Sequence, residues 1–123
     1  MVSLCNVLIV EDQYLIAVDL IETMACFGAV RTEMALDSQT AHRFLDAEVF
    51  DLVILDYHLG ADTCHLLVER LRPVGTPVIV VTGADFRSLP AWLFDYPVLA
   101  KPINYRAVGA AVRSLGFGVS EAV

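Results

Sequence analysis

Short apolar runs alternate along this chain with segments that carry apolar residues at helical spacing. Runs rich in Val, Ile and Leu, bounded by polar or turn-forming residues, are typical of strands that helices cover on both faces. Five runs of this kind predict strands, at residues 4–10, 29–34, 52–55, 78–81 and 98–100.

The segments between these runs predict amphipathic helices at residues 14–27, 38–47, 63–71 and 104–115. Side chains that can accept a hydrogen bond from a first helical turn precede three of them: Asp37 or Ser38, Asp62 or Thr63, and Asn104. On the first helix, one face should pack on the sheet (Ile16, Leu20, Thr23, Met24 and Phe27), and a second apolar stripe should lie opposite (Val18, Ile21 and Ala25).

Strands that alternate with helices imply right-handed crossovers and a parallel sheet with helices on both faces. We predict one α/β domain over residues 1–123, with a core at about 4–115 and a loose tail at 117–123. The pattern weakens between Thr82 and Val98, where Pro90 lies inside the expected helix. Because an interior proline costs a helix about 3 kcal/mol, this segment should be a short helix or irregular.

Composition narrows the class of protein. The 123 residues are 57% hydrophobic and 19% charged, which excludes a disordered chain, and the formal net charge is -7. A negative field repels phosphate backbones and anionic lipid, so we expect no direct binding to nucleic acid or membranes. The odd count of three cysteines, with no metal-type pair, argues against a disulfide framework and favours a cytoplasmic protein.

Candidate chemistry lies where the predicted strands end, which is where open α/β sheets bind ligands. Polar residues occupy four of these ends: Glu11 and Asp12 follow the first strand, Asp56 ends the third, Thr82 ends the fourth, and Lys101 with Pro102 follows the fifth. Converging carboxylates repel one another, and a hard cation such as Mg²⁺ relieves that repulsion. Asp56 could then attack a phosphoryl group whose oxygens Thr82 and Lys101 bind.

This set of residues resembles the receiver domain of two-component response regulators. Glu11 and Asp12 resemble the acidic pair of that family, and Asp56 resembles its phosphoacceptor. Thr82 resembles the hydroxyl residue that acts as its switch, followed by a small residue, here Gly83. Lys101-Pro102 resembles its Lys-Pro pair. The resemblance covers the chain from about Leu4 to Leu115, and the 44 residues from Asp12 to Asp56 match the usual spacing of the family.

The resemblance implies a doubly wound five-stranded sheet of flavodoxin-like order 2-1-3-4-5. It also implies Mg²⁺ held by Glu11, Asp12, Asp56 and the backbone carbonyl of His58. The phosphoryl donor would be a histidine kinase or a histidine phosphotransfer protein. The chain would catalyse only its own phosphoryl transfer and autodephosphorylation, as a switch or phosphate shuttle. The surface around residues 84–105 would change for an unknown protein target, and homodimerisation stays open.

Three positions depart from the family pattern. Gly60 and Cys64 stand where receivers usually carry Pro and Gly after the phosphoacceptor, and Val98 replaces an aromatic residue before the lysine. Cys64 is interpreted as a small apolar residue. In receivers that aromatic side chain usually swings inward on phosphorylation, and Val98 has no ring that could do so. We therefore expect a different response, in which residues 84–96 are mobile at rest and become ordered on phosphorylation. These features resemble stand-alone receivers with a shortened fourth helix.

Three other functions remain as alternatives. A haloacid-dehalogenase-like phosphatase needs a second Asp two residues after its nucleophile, where this chain has His58. A flavodoxin-like electron carrier needs a hydroxyl- and glycine-rich phosphate loop, where this chain has the acidic pair. A receiver fold that acts only as a binding module would not require Asp56, Thr82 and Lys101 together.

Overall fold

A five-stranded parallel sheet forms the centre of the molecule. The computed structural model describes residues 3–119, and within that range the strands are β1 (Asn6–Val10), β2 (Arg31–Ala35), β3 (Leu52–Asp56), β4 (Val78–Thr82) and β5 (Val98–Ala100). Their order across the sheet is β2-β1-β3-β4-β5. The predicted doubly wound fold, with its strand order 2-1-3-4-5, is confirmed.

Four α-helices are present in the same described range: α1 (Tyr14–Cys26), α2 (Ser38–Ala47), α3 (His65–Leu71) and α4 (Tyr105–Ser114). Asp37 caps α2 by accepting a hydrogen bond from the Thr40 N–H, and Asn104 caps α4 through the Arg106 N–H. The helix predicted at residues 63–71 is present but starts two residues later, and the Thr63 hydroxyl accepts a hydrogen bond of 3.4 Å from the His65 N–H, as expected of a residue at the start of this helix. Asp62 and Thr63 pair with Leu59 and His58 in a short antiparallel hairpin, so α3 begins only at His65.

Alternate strand residues face two separate apolar layers. One layer, with α2 and α3, contains Leu8, Val10, Val53, Leu55, Val78 and Val80. The other, with α1 and α4, contains Val7, Ile9, Leu52, Ile54, Ile79 and Val81. Because helices cover both faces, nearly every strand position is apolar, as the sequence pattern indicated.

The inner face of α1 is as predicted for Leu20, Met24 and Phe27, which are buried against the sheet. The predicted second stripe is wrong for Ile21, which packs against the same core layer, whereas Ala25 is exposed as expected and Val18 is half-buried. The large apolar side chains that α1 does expose are at its start, at Tyr14 and at Leu15, which is 80% exposed.

Residues 84–96 form two short 3₁₀ helices, Phe86–Ser88 and Ala91–Asp95, in place of a longer helix. This agrees with the effect expected of Pro90. The expectation of a mobile resting segment does not fit the packing, because Leu93 is 0% exposed within the core. An ion pair of 3.3 Å between Arg72 and Asp95 also ties the segment to the end of α3.

The structure moves the C-terminal boundary of the core beyond the position predicted for it. Phe117 is buried in the layer formed with α1 and α4, so it belongs to the core and does not begin a loose tail. Residues 120–123, the rest of the predicted tail, lie outside the described residues. No helix within residues 3–119 has the length and apolar character needed to cross a bilayer.

Candidate functional site

The carboxyl ends of four strands bring the polar residues singled out in the sequence to one edge of the sheet. Glu11 directly follows β1, Asp56 ends β3, and Thr82 ends β4 beside Ala100 of β5. Lys101 follows β5, and its Nζ lies 3.0 Å from Asp56 Oδ2 and 2.7 Å from Glu11 Oε1. Parallel strands place these ends together because all of them run in the same direction.

Three carboxylates form a cluster at this edge. Glu11, Asp12 and Asp56 each offer one oxygen, and these oxygens lie within 4.8 Å of one another. Glu11 is 0% exposed and Asp56 is 4% exposed, whereas Asp12 is exposed to solvent. A set of oxygen ligands with one open side suits a hard divalent cation that keeps several waters.

The electrostatics of Glu11 reflect its burial. Loss of solvation and the bond to Asp56 together raise the pKa of this carboxyl to about 7, although the bonds from Lys101 and from the Gln13 N–H oppose the shift. Burial by itself would lower the pKa of Lys101, but its bonds to Glu11 and Asp56 outweigh that effect and raise it. At neutral pH the ammonium of Lys101 therefore stays charged between two carboxyl groups.

Glu11 Oε1 is also the atom that tests whether a cation fits. It is fully buried, and the ammonium of Lys101 lies 2.7 Å from it, so this oxygen already faces one cation. The other oxygen, Oε2, accepts a hydrogen bond from the Gln13 N–H. Three carboxylates lie around the one ammonium of Lys101, so the cluster keeps an excess of negative charge that a divalent cation would offset. The residues present therefore fit a divalent metal.

Thr82 is fully buried, and its hydroxyl oxygen accepts a hydrogen bond of 3.0 Å from the Ala84 N–H. The hydroxyl proton stays available for another acceptor, since an accepting oxygen can still donate. The Lys101 N–H bonds the Thr82 carbonyl at 2.8 Å, so the backbones of the two residues are directly joined.

The loop after β3 lies at the same edge of the sheet and contacts two of the carboxylates. The His58 N–H donates to Asp56 Oδ1 at 3.3 Å, and the His58 side chain is exposed, with its ring against Tyr57. Gly60, at the turn of the hairpin, donates its N–H to Asp12 Oδ2 at 3.1 Å. The sequence alone marked Gly60 only as a departure from the family pattern and did not indicate this contact.

Cys64 is buried, and burial raises the pKa of its thiol to about 12, which agrees with the small apolar role expected of it.

Comparison with known proteins gives matches at the level of structure. No protein-family model matches the sequence. No curated protein matches it. The solution structure of SdrG from Sphingomonas melonis Fr1 is 28% identical, covers 94% of this chain and 98% of its own, and superposes with a TM-score of 0.81.

Two further structures show the same likeness. A CheY-like response regulator receiver domain from Methylobacillus flagellatus is 23% identical, covers 92% of this chain and 99% of its own, and has a TM-score of 0.80. A response regulator protein from Burkholderia pseudomallei, solved with a phosphorylated aspartic acid, a calcium ion and citrate, is 27% identical. It covers 86% of this chain and 65% of its own, with a TM-score of 0.74. The chain therefore has the fold of the response-regulator receiver domains, and the resemblance predicted from its motifs is confirmed.

Proposed function

We propose that this protein is a phosphorylation-dependent signalling switch or phosphate shuttle, and that Asp56 is the residue that accepts the phosphoryl group. The receiver fold supports a signalling role of this kind. The observation that carries the assignment is the position of Asp56, which ends a buried strand beside two further carboxylates and is bonded to Lys101. In the Burkholderia pseudomallei structure an aspartic acid is phosphorylated and a calcium ion is present, which adds support.

The proposed reaction is an in-line transfer from a phosphohistidine. An oxygen of Asp56 attacks phosphorus, the new O–P bond forms as the P–N bond breaks, and the bonding electron pair leaves with the imidazole nitrogen. The product is an acyl phosphate on Asp56. The Lys101 ammonium, already 3.0 Å from Asp56 Oδ2, would bind an oxygen of the new phosphoryl group.

Mg²⁺ is the cofactor that we propose for the acidic cluster. Glu11, Asp12 and Asp56 would hold it, with the backbone carbonyl of His58 as a further ligand. When bound, the ion would neutralise charge on the carboxylates and on the incoming phosphoryl group. The excess of carboxylates over the one ammonium of Lys101 supports this proposal.

Thr82 would carry the signal away from the site. Its hydroxyl would donate to a phosphoryl oxygen, and movement of Thr82 would shift Ala84, which is bonded to it at rest. The segment that follows leads to β5 and Lys101, so the surface around residues 84–105 would change for a downstream protein. Because 84–96 is folded at rest, we expect a rearrangement of packed residues and not a transition from disorder.

The partners that this proposal requires are a histidine kinase or a histidine phosphotransfer protein as donor, and a protein target. We propose no direct nucleic-acid or membrane partner, no separate enzymatic substrate, and a cytoplasmic location, where the three free cysteines would stay reduced. The phosphatase alternative lacks support, since the position that needs a second Asp is the exposed His58.

The test is labelling with a small acyl-phosphate donor and Mg²⁺, read by intact mass. The wild-type protein should gain one phosphoryl group that hydroxylamine removes, and Asp56→Ala should gain none. Asp62→Ala is the matched control, because Asp62 is an exposed carboxylate on the neighbouring hairpin, and it should be labelled normally. Equal labelling of Asp56→Ala and wild type would contradict the assignment.

A further inference from the structure

The turn of the hairpin after β3 is joined to the acidic cluster by one long-range hydrogen bond. The Gly60 N–H donates to Asp12 Oδ2 at 3.1 Å across 48 residues of sequence. Gly60 has a φ of +63°, in the left-handed region, and a Cβ placed there would meet nothing within 4 Å. The backbone conformation, not lack of space, is therefore what favours glycine here.

The donor is held in place by the residues around it. Leu59 pairs with Asp62 across the turn, and its side chain is buried in the layer formed with α2 and α3. On the other side of the turn, the N–H of buried Cys64 donates to the Tyr57 carbonyl at 2.8 Å. Buried Leu59 and Cys64 thus anchor both sides of the hairpin, and these contacts hold the Gly60 N–H toward Asp12.

Asp12 is the carboxylate of the cluster that most needs such support. Glu11 and Asp56 are buried and contact Lys101, so burial and ion pairing fix their side chains. Asp12 is exposed, and its bond to Gly60 ties the carboxylate to the hairpin. An unrestrained exposed side chain loses rotational freedom when it binds a metal, and that loss weakens binding.

We propose that Gly60 is a positioning residue that orients the carboxylate of Asp12 for Mg²⁺. This role rests on the proposed function, because it assumes that the cluster holds the ion. This positioning role would also explain why the chain has Gly60 where receivers usually carry Pro. Proline would lack the N–H and would hold φ near −65°, so it could make neither the turn nor the bond.

Two substitutions at the same position test the role through Mg²⁺ affinity, measured by calorimetric titration of the unphosphorylated protein. Gly60→Asn keeps the N–H and tolerates a positive φ, so it should bind Mg²⁺ within about twofold of wild type. Gly60→Pro should bind about three- to tenfold more weakly. Gly75→Asn is the matched control, because Gly75 also has a positive φ (+78°) but donates its N–H to the carbonyls of Leu71 and Arg72. It should leave the affinity unchanged.

A second measurement decides the question even if Gly60→Pro fails to fold. In metal-free protein, amide hydrogen exchange at Gly60 should be about tenfold faster in Asp12→Ala than in wild type, because the acceptor is gone. Equal exchange rates, or equal Mg²⁺ affinities for wild type and Gly60→Pro, would overturn the positioning role alone. Absence of Mg²⁺ binding by wild type would instead overturn the proposed metal site, and this role with it.

Discussion

Replacement of Glu11 by Gln should make the metal-free protein more stable, and the gain should depend on pH. Glu11 is fully buried, and burial together with Asp56 raises the pKa of its carboxyl from 4.5 to about 7. Glutamine has nearly the same shape and no charge, so the substitution removes the titration while largely preserving the packing. The variant thereby isolates the energetic cost of placing this carboxylate in the cluster.

The sign and size follow from the two pKa values. Below pH 4.5 the carboxyl is protonated in both the folded and the unfolded protein, so pH has no effect through this group. Between pH 4.5 and 7 the folded protein binds the additional proton, so its stability falls as pH rises, by about 1.4 kcal/mol per unit. Above pH 7 the loss levels off at about 3 kcal/mol.

The assay is urea unfolding of wild type and Glu11→Gln, with a chelator present, at several pH values from 4.5 to about one unit above 7. The difference in unfolding free energy should grow with pH by about 3 kcal/mol in favour of the variant. Glu22→Gln, an exposed carboxylate on α1, is the control and should show no such trend. Saturating Mg²⁺ should reverse the order, because the ion stabilises the charged cluster of wild type by mass action.

A difference in stability that stays constant across this pH range would refute the reasoning, since it would mean that Glu11 titrates alike in the folded and unfolded protein. If Mg²⁺ stabilised Glu11→Gln as strongly as wild type, Glu11 would not be a ligand, even if the pH trend were observed.

Two further predictions concern packing and docking. Leu93→Ala should lower the unfolding free energy by about 2–5 kcal/mol in chemical denaturation, because Leu93 is fully buried where the 3₁₀ segment meets the core. A loss below about 1 kcal/mol would show that the segment is loosely attached to the core. We predict that the partner bearing the phosphohistidine docks on the apolar side chains that α1 exposes, among them Leu15. Leu15→Asp should therefore slow phosphoryl transfer from a cognate kinase about tenfold while leaving labelling by the small donor unchanged, and equal slowing of both routes would contradict docking at this position.

The sequence by itself determined the strands, the helices and the edge at which the site forms. The apolar run at residues 78–81 predicts a strand covered on both faces, and Asp37 and Asn104 mark helix starts by local hydrogen bonding. Pro90 indicated the absence of a full helix between β4 and β5. Each of these features depends on neighbours within a few residues, so periodicity and side-chain chemistry are sufficient to predict it.

The tertiary structure decided the features that depend on residues distant in sequence. The start of α3 was displaced because Asp62 and Thr63 pair across a hairpin, and helix periodicity carries no signal for that pairing. Leu93 is buried and Ile21 is half-buried by neighbouring elements, and the periodicity of their own helices does not reveal those neighbours. The bond from Gly60 to Asp12 joins two loops 48 residues apart, and the raised pKa of Glu11 arises from burial and from its contact with Asp56. Such effects come from contacts between separate loops and layers, and those contacts form only when the sheet brings its strand ends together.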